Sequence, residues 1–220
     1  MGQEISISNI SKISGLTAEE ILDKMVEKKI GIAGSGSGVT KTDYSDIMTG
    51  TPTLGANVTI GGYEWTVCHI DYDGGIMYLI KTYVEEEVQF GSSVYYKGST
   101  IANKCATFQA KLPKAVTDKL LDISVFGVTS KVFIPKASWV GPAIDFTSNT
   151  IADSTAGYFG YFNNNGARVA YDKSGTTKWY WTSSYYSSGN VWIVDNRGSL
   201  YDSYDPSYTG GFRPCLALAL

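Results

Sequence analysis

From residue 50 onward the chain is built of short apolar runs broken by Gly, Asp, Asn and Ser. Val58 to Ile60 and Tyr63 to Ile70 read as strands joined by a Gly61-Gly62 turn. Asp73-Gly74-Gly75 is a hairpin signal, and Ile76 to Tyr83 is its returning strand. The period then changes. Thr100 to Leu112 and Lys114 to Leu121 carry helical spacing and are divided by Pro113, which ends one helix and starts the next. Ile123 to Val128 and Lys131 to Ile134 predict short strands. Ala156 to Phe162 predicts a short helix, with Asn163-Asn164-Asn165-Gly166 as the turn after it. Trp179 to Thr182, Val191 to Val194, Ser199 to Tyr201 and a closing strand from Phe212 to Leu218 follow. The pattern predicts an α+β fold, with helices in the middle, short antiparallel strands at both ends, and first and last strands able to pair.

Residues 1–49 have a different character. Ile5, Ile7, Ile10 and Ile13 alternate with polar residues, and Thr17-Ala18-Glu19-Glu20 reads as a capping box. Ile21, Leu22, Met25 and Val26 then form the stripe of a helix ending near Lys29, and Gly34 to Gly38 is a Gly/Ser linker. One short helix cannot bury its own stripe. It needs a partner, which is its own domain, a sister chain or a larger particle; residues 1–49 are expected as an attachment or oligomerisation segment, and residues 50–220 as a ligand-binding domain. Met1-Gly2 through Ser6 fits a loose lipidation pattern that no basic cluster supports.

Charge narrows the function. Only 18% of residues are charged, the formal net charge is −3, and no basic block occurs, which argues against binding nucleic acid through its phosphates. No apolar run is long enough to insert in a membrane. Cys68, Cys105 and Cys215 are odd in number and widely spaced, so buried free thiols are expected, in a chain made in a reducing cytoplasm. A lone histidine, His69, finds no local partners for a triad or a metal. No metal or cofactor is expected. Glu85-Glu86-Glu87 reads as a solvated strand end, and it or Asp202/Asp205 would be the acid/base candidates of an enzyme.

The 16 tyrosines are uneven: six lie between Tyr180 and Tyr208. Eighteen of those 29 residues are Tyr, Ser, Asp or Asn. The dense parts read as two loops, Ser183 to Asn190 and Asp202 to Thr209. Tyr with small polar residues is the chemistry of an antibody paratope: broad amphipathic contact at low rotamer cost, plus adaptable hydrogen bonds. Neither Tyr185-Tyr186 nor Tyr201-Asp202-Ser203-Tyr204 keeps strict alternation, so several rings should be exposed.

Gly211-Phe212-Arg213-Pro214 before a terminal apolar strand resembles the closing motif of C-type-lectin-fold domains of the formylglycine-generating-enzyme type. Trp179 to Ser184, Val191 to Asp195 and Arg197-Gly198-Ser199 look like the hairpins before it. Gly61 to Val67 with Leu79-Ile80 resembles the opening of a bacterial and phage subfamily. The likeness covers roughly residues 54–220. The Tyr-rich stretch also resembles the variable region of a protein diversified by a retroelement, in which mutation of adenines in Asn codons yields Tyr, Ser and Asp at fixed sites. That resemblance implies a non-catalytic ligand-binding protein on a phage tail or virion. The positions it implies are Tyr180, Tyr185, Tyr186, Ser188, Asn190, Trp192, Asn196, Tyr201, Ser203, Asp205, Ser207 and Tyr208. The implied partners are a bacterial surface protein or glycan, virion proteins through residues 1–49, and, by analogy, sister chains in a homotrimer. The Glu-Pro-Asn, Gln-Pro-Asp and Trp-Asn-Asp motifs of calcium-dependent lectins are absent, and Cys105 and Cys215 do not match the catalytic cysteines. An enzyme of the formylglycine-generating type and a bacterial surface display protein are the alternatives.

Overall fold

A computed structural model describes residues 44–141, 159–186 and 189–220. The helix expected after Thr17, the Gly34–Gly38 linker, the Ala156–Tyr158 part of the expected helix, and Ser188 lie outside the described residues. The described part is a mixed α+β fold, mostly antiparallel sheet with few helices.

Two sheets carry the architecture. The first contains β1 (Met48–Thr49), β2 (Asn57–Ile60), β3 (Tyr63–Asp71), β4 (Ile76–Lys81), β8 (Val132–Phe133) and β15 (Cys215–Ala219), in the order β1-β2-β3-β4-β15-β8. Gly61 and Gly62 both adopt positive φ, which makes the β2–β3 turn tight. β15 pairs with β4 from Cys215–Ile80 to Ala219–Ile76, so the last strand joins the N-terminal sheet, but beside the returning strand of its hairpin and not beside the first strand as expected. Met48 and Thr49, before position 50, belong to this sheet. β1 pairs with β2, and the Tyr44 hydroxyl donates to the Ala219 carbonyl at 2.7 Å.

The second sheet contains β5 (Glu86–Gln89), β11 (Tyr180–Tyr186), β12 (Asn190–Val194), β13 (Leu200–Tyr204) and β14 (Thr209–Phe212), ordered β13-β12-β11-β14-β5. Its one parallel contact joins β11 to β14 at Tyr180 and Gly211. Helix α1 (Thr100–Gln109) packs against both β5 and β8. Ser99 caps it by accepting from the Ala102 amide at 3.1 Å. Ile101, Cys105 and Phe108, at i, i+4 and i+7, are its buried stripe. Phe108 meets Trp65 of the first sheet and Phe212 of the second edge-on, knitting one core.

The structure departs from the sequence pattern where tertiary bonding overrides local preference. Helix α2 (Lys114–Thr117) stops well before Leu121, whose amide instead donates to the Ala217 carbonyl at 2.9 Å. Ile123 to Val128 is not one strand but the hairpin β6 (Ile123–Val125) and β7 (Val128–Ser130), turned at Phe126 and Gly127, both at positive φ. Asn163 to Gly166, expected as a turn, runs into a helix at Asn164. Asn164 caps α4 (Asn165–Arg168), which follows a four-residue α3 (Ala137–Val140) and a 3-10 turn at Gly160–Phe162. The expected closing strand is cut in two at Arg213-Pro214. Pro214 has no amide to donate; its carbonyl accepts from the Lys81 amide, and Arg213 Nε donates to the Lys81 carbonyl at 2.9 Å. That break moves the chain from one sheet to the other.

Candidate ligand-binding face

The Tyr-rich segment was expected as two loops; much of it is strand. β11 runs on through Tyr186, and β13 includes Tyr201 to Tyr204. Val191 stands opposite Tyr185 on one side and Tyr204 on the other, so these two tyrosines share a face of the sheet. Tyr186 and Trp192 take the opposite face. There Trp192 is buried with Ala137, and the Tyr186 ring stands perpendicular to it at 5.7 Å.

On the first face, aromatic rings gather around Tyr204. It is half-buried and lies 4.6 Å from Trp179, 6.0 Å from Tyr201 and 5.9 Å from Tyr208, centroid to centroid. The latter two rings stand at 83° and 84° to it, in the edge-to-face geometry that ring quadrupoles favour. Tyr201 is 50% exposed and Tyr208 57%. Beneath them Trp179 occupies space that only Gly210 allows: a Cβ there would run into the indole. The Gly211 amide donates to the Trp179 carbonyl at 3.1 Å, holding this layer to β14.

A second contact joins Tyr185 to Tyr95, whose rings meet edge-on at 5.3 Å. Burial, and the Tyr95 phenol beside it, push the Tyr185 hydroxyl above its ordinary value. The residue-91 and residue-206 loops are tied by a hydrogen bond from the Gly91 amide to the Pro206 carbonyl.

The twelve expected positions separate into groups. Tyr185, Tyr201 and Tyr208 lie on the aromatic face, Tyr186 lies on the opposite side, and Asn190 and Asn196 are at least partly exposed. Ser203 lies in β13. Asp205 and Ser207 are exposed but engaged with each other. Asp205 Oδ1 accepts from the Ser207 amide at 2.8 Å and hydroxyl at 2.6 Å, which holds its carboxyl below the usual range. Tyr180 and Trp192 are core residues, contrary to a place on the surface. Tyr180 is 0% exposed, with the Arg213 guanidinium 5.0 Å from its ring centroid. Burial pushes its hydroxyl up to about 12, although Arg213 pulls it back. Tyr204, Trp179 and Tyr95 were not among the expected positions. The broken alternation at Tyr201–Tyr204 was the signal for Tyr204; nothing local marked Tyr95, since its neighbour Tyr96 is buried.

Other candidate chemistry is placed elsewhere. The thiols of Cys68, Cys105 and Cys215 are free and buried, as expected. Burial pushes all three up, Cys105 to about 12, so they are protonated and poor nucleophiles at neutral pH. Glu85, Glu86 and Glu87 are not simply solvated: each pairs with a lysine, Lys81, Lys104 and Lys178 respectively. His69 stacks on Phe159 at 4.7 Å and lines a shallow groove of about 530 Å³ with Pro52, Leu54 and Tyr72; burial lowers its pKa. No group of three His, Cys, Asp or Glu side chains able to hold a metal occurs among the described residues. Comparison with protein-family models, curated proteins and solved structures gave no match.

Proposed function

We propose that the chain is a non-catalytic recognition protein of C-type-lectin fold, diversified by a retroelement and displayed on a phage tail or virion. Its ligand is a bacterial surface molecule, and the segment before Asp43, narrower than the 1–49 expected because Met48 and Thr49 belong to the first sheet, joins it to virion proteins or to sister chains in a trimer. The observation that carries the reading is the cluster of exposed Tyr201 and Tyr208 around half-buried Tyr204, seated on Trp179. Large amphipathic rings held on a packed sheet supply contact area with little ordering cost. The closure of β15 on β4, and the Gly-Phe-Arg-Pro crossing between sheets, are in keeping with the lectin fold.

Variation divides accordingly. Tyr185, Asn190, Asn196, Tyr201 and Tyr208, exposed or partly so, can change with the core left intact, Tyr186 changes only at the cost of its contact with Trp192, and Tyr180 and Trp192 admit only substitutions that preserve the core. Sequencing copies of this gene from one population tests the reading. Substitutions are expected at the exposed positions, with Trp179, Gly210 and Gly211 constant. Changes scattered evenly over residues 50–220 would sink it. In binding assays, alanine at Tyr201 and Tyr208 is expected to weaken ligand capture, while Tyr180→Phe leaves it unchanged.

A further inference from the structure

We propose that Tyr95 is a framework-held contact residue of the recognition face, and that this face binds an uncharged patch of a partner protein. The proposal rests on the reading of the tyrosine cluster as a recognition surface. Tyr95 lies far from the diversified stretch in sequence, yet its ring packs edge-on against Tyr185 and is 59% exposed.

The loop that carries it is held at several points. Phe90 is buried against Trp181, and its carbonyl accepts from the Ile101 amide at 3.0 Å. The Gly91 amide donates to the Pro206 carbonyl at 3.1 Å. Tyr96 is buried, with its hydroxyl 3.5 Å from Cys105 Sγ, and its carbonyl accepts from the Ser99 hydroxyl at 2.7 Å. Tyr95 therefore projects from a fixed backbone and loses little freedom when covered. Whatever stands at Tyr185, the ring of Tyr95 remains beside it.

Charge points to the partner. The carboxylates of Asp195 and Asp205 are turned inward onto backbone amides of their own turns. Arg197 is the one cation between Tyr180 and Tyr208. A face of rings and hydroxyls, with Asp195 and Asp205 engaged in their own turns and a single cation, matches the charge-depleted, aromatic-rich centre of a protein interface.

The test selects random linear peptides against the full chain. Enriched peptides are titrated against Tyr95→Ala, Tyr95→Phe, Tyr185→Ala and the double variant Tyr201→Ala/Tyr208→Ala, each checked for an unchanged thermal melt. Tyr95→Ala and Tyr185→Ala are expected to weaken binding by about tenfold or more, and Tyr95→Phe to stay close to wild type. Peptides lost on the double variant but indifferent to Tyr95→Ala overturn the role of Tyr95 and leave the face standing. Peptides indifferent to every variant overturn both. Failure to enrich any peptide, with binding to a panel of neutral polysaccharides instead, overturns the protein partner.

Discussion

Gly210 illustrates how much one absent methyl group can decide. Its missing side chain makes the seat of Trp179, and Trp179 in turn supports Tyr204. Gly210→Ala is expected to cost about 1–3 kcal/mol through overpacking and to shift the tryptophan emission as the indole leaves its seat. Urea unfolding followed by fluorescence measures both. Sequence reading began its closing motif at Gly211 and left Gly210 out, because the collision is with Trp179, which is distant in sequence. Tyr180 and Trp192 were misplaced for a related reason. Their residue types match a paratope, and only strand register reveals that one enters the core and the other the reverse face. Tyr201 and Tyr208 were legible because broken alternation leaves a large ring no core to enter.

At the level of elements, the hairpin turns are held by groups reaching in from elsewhere. Arg168 of α4 is buried, and it donates to the carbonyls of Gly198 at 2.7 Å and Phe162 at 3.0 Å, and to the Asn165 side chain. It pins the Asp195–Ser199 turn between β12 and β13, where Gly198 at positive φ leaves no room for a Cβ against Asn165. Arg168→Met leaves those buried carbonyls without donors and is expected to cost about 2–4 kcal/mol. Hydrogen exchange should accelerate at Arg197, Gly198 and Ser199 before it changes in β3. Strands with regular alternation and flanking glycines, such as β2 to β4, were legible in the sequence to within a few residues. The boundaries missed were those set by distant partners: α2 cut short by the Leu121–Ala217 bond, and β14 parted from β15 by Arg213-Pro214.

Across the whole molecule, protonated groups sealed in the core set the alkaline limit of stability. Cys68, Cys105, Cys215, Tyr96 and Tyr180 all have their pKa raised, chiefly by burial. The folded chain keeps protons that the unfolded chain releases, thiols first, at about pH 8.5. Their stabilisation is complete below that pH and is lost as pH rises toward the folded values, by about 1.4 kcal/mol per pH unit for each thiol. Denaturant midpoints measured from pH 7 to pH 10 should fall above pH 8.5, and less steeply in a Cys68→Ala variant.

The position of β15 between β4 and β8 bears on how the chain matures. The Tyr44–Ala219 bond closes a loop of 175 positions, and such long-range closure makes folding slow. At roughly 5–20 residues/s, synthesis separates β4 from β15 by on the order of ten seconds. During that interval the first sheet lacks the strand that joins β4 to β8, and the tyrosine-bearing hairpins emerge before it is whole. The tyrosine-bearing hairpins are thus made while the nascent protein is still open, so substitutions that add aromatic rings there raise the risk of aggregation before the fold closes over them.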